Sequence, residues 1–105
     1  NKALNMPPYS TVAILRATSP SSKSCYKFLD KANNLLNNKK NIYVIGPLPS
    51  IPLKVKGNTR NHLIIKSDKR TYLNRVLKYL TYEIQTWSET KKVKWSYDID
   101  PYDMS

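Results

Sequence analysis

The chain alternates between apolar runs typical of strands and apolar stripes typical of helices. Residues 11–18 are apolar at both parities from Val12 to Leu15, which indicates a central strand. Pro20 and the serines after it favour a helix start, and apolar residues then recur at helical spacing up to about Asn38. The apolar face of this helix comprises Cys25, Phe28, Leu29, Ala32, Leu35 and Leu36.

Prolines and a turn cluster interrupt the middle of the chain. Residues 42–45 predict a strand, and the three prolines of residues 46–52 forbid regular ladder pairing, so that segment is expected to be a rigid, irregular extension. Residues 53–56 and 61–66 flank a turn cluster at 57–60, in which Gly57 suits a positive φ. We therefore expect a hairpin here.

A second helix and a last strand complete the pattern. Ser67 or Asp68 is expected to cap the helix, whose apolar residues share one face over nearly four turns. These residues are Leu73, Val76, Leu77, Leu80, Ile84 and Trp87. Residues 93–99 alternate between apolar and polar side chains, which predicts a half-buried strand that stops at Pro101.

The resulting order is β-α-β-β-α-β, which predicts an α+β domain with a ferredoxin-like fold. With right-handed crossovers, the four strands form one antiparallel sheet and both helices cover one of its faces. The first and third strands are expected to be central because their apolarity is two-sided. At 105 residues, the chain is expected to form a single domain, residues 1–105, with residues 1–9 as a leading segment.

The charge of the chain favours nucleic acid as a partner. Eighteen Lys and Arg residues against seven Asp and Glu give a net charge of +11, which attracts phosphate backbones. The alternative is a lysine excess that reflects an AT-rich genome, with the charges scattered and solvated. The arginines are the better candidates because a guanidinium suits bidentate phosphate contact. The predicted nucleic-acid-binding residues are Lys54, Lys56, Arg60, Lys69, Arg70, Arg75, Lys92 and Lys94.

Residue types suited to catalysis or metal binding are scarce. Neither Gly46 nor Gly57 lies in a phosphate-loop pattern, so no ATP site is expected. The single cysteine, Cys25, excludes an internal disulfide and a Cys-based zinc site, and with the single histidine, His62, it forms no recognisable nucleophile and base pair. No apolar run reaches the ~18 residues that cross a bilayer. We expect a cytoplasmic, non-catalytic domain without a metal.

Four segments taken together resemble the C-terminal domain of the primosomal protein N′ (PriA) helicase family. They are MPPY leading into TVAILRA, VIGPLPSIP, KGNTRNHLIIKS and KKVKWSYDIDP, and they span the chain in order. The last segment is the most specific. The second is also similar to a segment of ribosomal protein S10, and the resemblance implies an S10-like variant of the ferredoxin-like fold.

The resemblance implies a parent protein that is an ATP-dependent 3′ to 5′ DNA helicase, which recognises stalled forks and starts primosome assembly in replication restart. ATP and zinc would belong to upstream domains, and this chain would hold no cofactor. The domain would help to hold forked or single-stranded DNA, pack on the helicase lobes and lie near the docking site of the single-stranded DNA-binding protein. Arg70 is the candidate residue for binding the acidic tail of that partner.

Two positions depart from the family pattern. Asn58 and Thr59 stand where the family often has an aromatic residue, which argues against base stacking at that turn, and Lys94 replaces a frequent arginine. Two alternative functions stay open: a structural docking domain without DNA affinity of its own, and an S10-like RNA-binding module.

Overall fold

A computed structural model describes residues 11–99 of the chain. Its elements follow the predicted order, β-α-β-β-α-β, with one short 3-10 helix before the last strand. They are β1 (Thr11–Ser19), α1 (Ser22–Leu36), β2 (Ile42–Val55), β3 (Asn58–Ser67), α2 (Arg70–Ile84), the 3-10 helix (Glu89–Lys92) and β4 (Lys94–Ile99). The predicted leading segment and the predicted stop at Pro101 lie outside the described residues.

The four strands form one antiparallel sheet in the order β2-β3-β1-β4. Strands β1 and β3 are central, as their two-sided apolarity predicts. Burial alternates strictly along β1, where Ala13, Leu15 and Ala17 are at most 1% exposed while Val12 and Ile14 are only half-buried. One face of the sheet therefore carries the core, and the other is covered only in part by the described chain.

Helices α1 and α2 supply the other half of the core. The predicted helical faces are confirmed, because Phe28 and Leu29 of α1 and Leu80 of α2 are fully buried. Trp87 is also buried, although α2 ends at Ile84, and its ring packs edge-on against Phe28 with 5.9 Å between ring centroids. The core thus extends past the end of the second helix into the segment that leads to β4.

The proline-rich segment pairs irregularly, as predicted, but it remains part of the strand. Strand β2 runs through all three prolines as one strand, and its pairing with β3 is interrupted between Ile45 and Leu48 and again between Pro49 and Lys54. This arrangement is possible because β2 is an edge strand, so a proline that lacks an N–H group can face outward without losing a ladder bond. The prolines shift the register but do not end the strand.

The turn and the helix ends also differ from prediction. The predicted hairpin is confirmed, and Gly57 has the expected positive φ. Its two-residue turn consists of Lys56 and Gly57, and β3 already begins at Asn58, so the predicted bounds of the turn, 57–60, were wrong. The N-cap of α2 is Lys69, and the Oγ of Ser67 accepts a bond from its backbone N–H at 3.3 Å. Helix α1 begins as predicted, capped by a serine, and ends two residues before Asn38.

Candidate nucleic-acid interface

The face of the sheet opposite the helices carries most of the charged strand residues. We call it the open face. Because side chains alternate along a strand, the neighbours of the core residues point to this side. The open face comprises Val12, Ile14, Arg16 and Thr18 of β1, Arg60, His62, Ile64 and Lys66 of β3, and Lys94, Ser96 and Asp98 of β4.

Strand register brings three cations from three strands to one end of the open face. Thr18 on β1 lies opposite Arg60 on β3 and Lys94 on β4, and Arg16 lies one pleat away. Opposed side chains in antiparallel strands have their Cβ atoms about 5 Å apart. A cavity of about 180 Å³ lies among them; we call it the basic pocket. Its side chains include Arg16, Thr18, Ser50, Arg60, Lys94 and Ser96.

The two arginines of the basic pocket are positioned by bonds to the strands beside them. Arg60 donates from Nη1 to the carbonyl oxygen of Pro52 at 2.9 Å. Arg16 donates from Nη2 to Oδ2 of Asp98 at 2.9 Å, and both of those side chains stay well exposed. A guanidinium has five N–H donors, so each arginine can hold its protein partner and still offer donors to a phosphate.

The single histidine adjoins the basic pocket. Its Nδ1 lies 3.0 Å from the Oγ of Ser50, a pocket residue, and His62 lies opposite Arg16 on β1. Partial burial lowers the pKa of His62, and the positive charges of Arg16 and Arg60 lower it further. The neutral imidazole is therefore favoured in the folded chain, and a bound anion would shift this balance toward the charged form.

Arg16 was not among the predicted binding residues, although it lies in the basic pocket. Its neighbours in the chain are apolar, so it was predicted as part of an apolar strand. Its position does carry a signal, because it has the same parity as Val12, Ile14 and Thr18. An arginine in a strand whose other parity forms the core must lie on the opposite face. The face on which Arg16 lies follows only once it is known which parity of β1 the helices cover.

The structure distributes the other predicted cations over several surfaces. Lys54 lies opposite Thr59, on the helix side of the hairpin, and Lys56 is in the turn. Lys92 ends the 3-10 helix, where its carbonyl oxygen accepts a bond from Ser19 Oγ at 2.7 Å.

The start of α2 carries Lys69, Arg70 and Arg75, all exposed, and it follows the end of β3 that is remote from Arg60. Of the eight predicted residues, Arg60 and Lys94 meet in the basic pocket.

Comparison with known proteins assigns the family. The family model described as the primosomal protein N C-terminal domain matches residues 2–102. The chain belongs to this family. Relatives include the replication restart protein PriA of Buchnera aphidicola subsp. Schizaphis graminum, 28% identical over 92% of this chain, and that of Rickettsia typhi, 35% identical over 74% of it. The chain spans 14% and 12% of the lengths of these relatives.

A solved structure resembles the primosomal C-terminal domain described here. The de novo designed protein Foldit4 superposes with a TM-score of 0.65 over 87% of this chain and 96% of its own, at 13% sequence identity. At this identity the likeness shows the fold alone. It agrees with the ferredoxin-like arrangement of the sheet and the helices.

The described part of this primosomal domain offers little reactive chemistry. Residues 11–99 contain no group of three or more His, Cys, Asp or Glu side chains that could hold a metal ion. Cys25 is buried, its Sγ donates to the carbonyl oxygen of Ala17 at 3.3 Å, and burial raises the pKa of its thiol. A thiol held in this state is a poor nucleophile. None of the described helices is long and apolar enough to cross a membrane.

Proposed function

We propose that this domain binds the phosphate backbone of forked or single-stranded DNA through the basic pocket. The observation that carries the proposal is the meeting of Arg16, Arg60 and Lys94, from three adjacent strands, around one cavity. Thr18 also lines this cavity, and a hydroxyl group is a donor that suits phosphate oxygens. The net charge of +11 adds long-range attraction to any polyanion.

The family relation extends this proposal to a larger protein. We propose that the domain serves a cytoplasmic ATP-dependent DNA helicase in replication restart, whose ATP and zinc sites lie in other domains. The relatives are named replication restart protein PriA, which supports this context. Arg70, exposed in the first turn of α2, remains the proposed contact for the acidic tail of the single-stranded DNA-binding protein.

A second candidate function is docking against the helicase lobes, and the apolar half of the open face favours it. Ile45, Ile64 and Ile14 lie opposite one another on β2, β3 and β1, and they form an apolar row across the sheet. Ile45 is 44% exposed, so a packed partner would remove apolar surface from water at this row. Docking of this half leaves the basic pocket, at the other end of the same face, available to DNA.

The test is fluorescence anisotropy of the 105-residue chain with single-stranded, duplex and forked DNA and with structured RNA, across a salt series. We expect dissociation constants of roughly 10⁻⁴ to 10⁻⁶ M that rise steeply with salt. Replacing Arg16, Arg60 and Lys94 together by Ala removes up to three phosphate contacts. The slope of log affinity against log salt should then fall in magnitude by about 2 to 3.

A matched triple variant separates the basic pocket from general charge. Replacing Lys69, Arg70 and Arg75 by Ala removes the same charge from the start of α2, and it should leave the salt slope nearly unchanged. An equal effect of both triple variants would refute a localised site. No binding at low salt would leave docking as the function, and a preference for structured RNA over every DNA would favour the S10-like alternative.

A further inference from the structure

The second register break of β2 displaces four residues from the ladder. Pro49 lies opposite Asn61 and Lys54 lies opposite Thr59. The four residues 50–53 of β2 therefore correspond to a single residue of β3, Arg60. We call residues 50–53 the bulge. A bulge bends its strand and redirects side chains. In this bulge Ile51 is 95% exposed, more than any other large apolar residue of the described chain.

The bulge is fixed on both sides of Ile51. Ser50 is 7% exposed and its Oγ lies 3.0 Å from Nδ1 of His62, while the carbonyl oxygen of Pro52 accepts the 2.9 Å bond from Arg60. The ring of Pro52, the residue after Ile51, also locks φ at that position. Ile51 is therefore presented by an anchored segment of the edge strand.

Both anchors of the bulge belong to the rim of the basic pocket. Ser50 and Arg60 line that cavity, and Ile51 is the immediate chain neighbour of Ser50, so their Cα atoms are about 3.8 Å apart. Leu53, two residues further, lies instead beside Tyr26 in a groove against α1. Ile51 is thus adjacent in the chain to the cationic pocket, and its side chain, at 95% exposure, does not line that cavity and has almost no contact in the described chain.

A nucleotide that is not stacked on both sides has the matching chemistry. Its phosphate is anionic, and the face of its base is apolar and uncovered. In continuous duplex the base faces are covered by their neighbours, so an apolar side chain finds no such surface without unstacking a step. At a fork junction or in a single strand the face is available, and apolar or aromatic side chains pack on it with little sequence preference.

We propose that Ile51 packs on the exposed face of an unpaired or junction base whose backbone phosphate occupies the basic pocket. Ile51 is then the residue that makes the domain prefer forked and single-stranded DNA over continuous duplex. The cations supply affinity for any DNA, and the isoleucine supplies the distinction between DNA structures. This inference rests on the proposed function of the basic pocket.

The test is Ile51→Ser, measured by anisotropy against a fork, a single strand and a closed dumbbell duplex that has no ends. We expect affinity for the fork and the single strand to fall about tenfold, and affinity for the dumbbell to change less than about twofold. The salt slope should stay constant because no phosphate contact is lost. Ile51→Phe should retain or increase the preference for the fork. The matched control is Tyr82→Ser, since Tyr82 is 69% exposed on α2 and should affect none of the DNAs.

The outcomes separate this inference from the proposed function. Suppose that Ile51→Ser changes the affinity for all three DNAs equally or for none of them, while the triple variant of Arg16, Arg60 and Lys94 binds more weakly. The proposed role of Ile51 is then wrong, and the proposed function of the basic pocket is supported. If that triple variant binds as the unchanged chain does, both are wrong. Circular dichroism melts should coincide for Ile51→Ser and the unchanged chain, because Ile51 makes almost no contact in the fold.

Discussion

The ion pair between Arg16 and Asp98 leads to a prediction about DNA binding. Asp98 is the one acidic residue in strands β1 to β4 of the described chain, and it faces the same side of the sheet as the basic pocket. Replacing it by Asn removes a negative charge and reduces the 2.9 Å ion pair of Arg16 to, at most, a hydrogen bond with a neutral amide oxygen. We therefore expect Asp98→Asn to tighten the binding of every DNA tested.

The structure sets the size of this effect. Two unit charges about 8 Å apart in water interact by roughly 0.5 kcal/mol, so the loss of repulsion between Asp98 and a phosphate is worth about twofold. One more phosphate contact by Arg16 should raise the total gain to about three- to tenfold at low salt. The folded state should lose less than about 1 kcal/mol, because the side chains of Arg16 and Asp98 are 41% and 55% exposed.

The assay is anisotropy with single-stranded DNA between about 50 and 200 mM salt. Glu83→Gln is the matched control, since it changes the net charge equally but lies on α2, away from the open face. The gain for Asp98→Asn should exceed that of the control at low salt and shrink as salt screens the charges. Equal effects of the two variants, or weaker binding by Asp98→Asn, would refute the placement of DNA at the basic pocket.

Two further predictions concern stability. Gly46→Ala should cost about 2 kcal/mol or more, because φ at Gly46 is +126° and a Cβ there would lie 3.0 Å from the backbone oxygen of His62. In Gly57→Ala the added Cβ meets no atom within 4 Å, so the thermal denaturation midpoint should fall less than in Gly46→Ala. A larger fall for Gly57→Ala than for Gly46→Ala would contradict this reasoning. The pKa of His62 is lower in the folded chain than in the unfolded chain, so the unfolded chain binds a proton at His62 first as the pH falls. The stability that this difference contributes is present above pH 6.5 and should be lost below it. Melts from about pH 7.5 to 5.5 should show this loss, and His62→Gln should reduce it.

The topology of this domain could be predicted because its main signals are local. The 3.6-residue spacing in α2 from Leu73 to Ile84 marks one helical face, and the alternation around Trp95 marks a half-buried strand. Two-sided apolarity identified β1 and β3 as central, although the second face turned out to be only partly covered. For that reason, the apolar residues Val12 and Ile14 mark a central strand without being part of the core.

The irregular elements could not be predicted because distant contacts determine them. Gly57 indicated a turn, but the two-residue turn also requires Lys56 at a φ of 51°, which its side chain does not favour. The N-cap of α2 is Lys69 and not Ser67 or Asp68. The Lys69 side chain makes no capping hydrogen bond, so its residue type does not indicate a helix start. The register breaks in β2 depend on its edge position, which is a property of the whole sheet.

The basic pocket shows most clearly why a binding site is harder to predict than a fold. Arg16, Arg60 and Lys94 are separated by more than forty and more than thirty residues, and nothing local relates them. They meet because β1 lies between β3 and β4 and because the antiparallel register sets Thr18 opposite both Arg60 and Lys94. A shift of one residue in either pairing would send one of these cations to the helix side of the sheet. The site therefore depends on strand register, so variants that alter the register should weaken binding even when all three cations are kept.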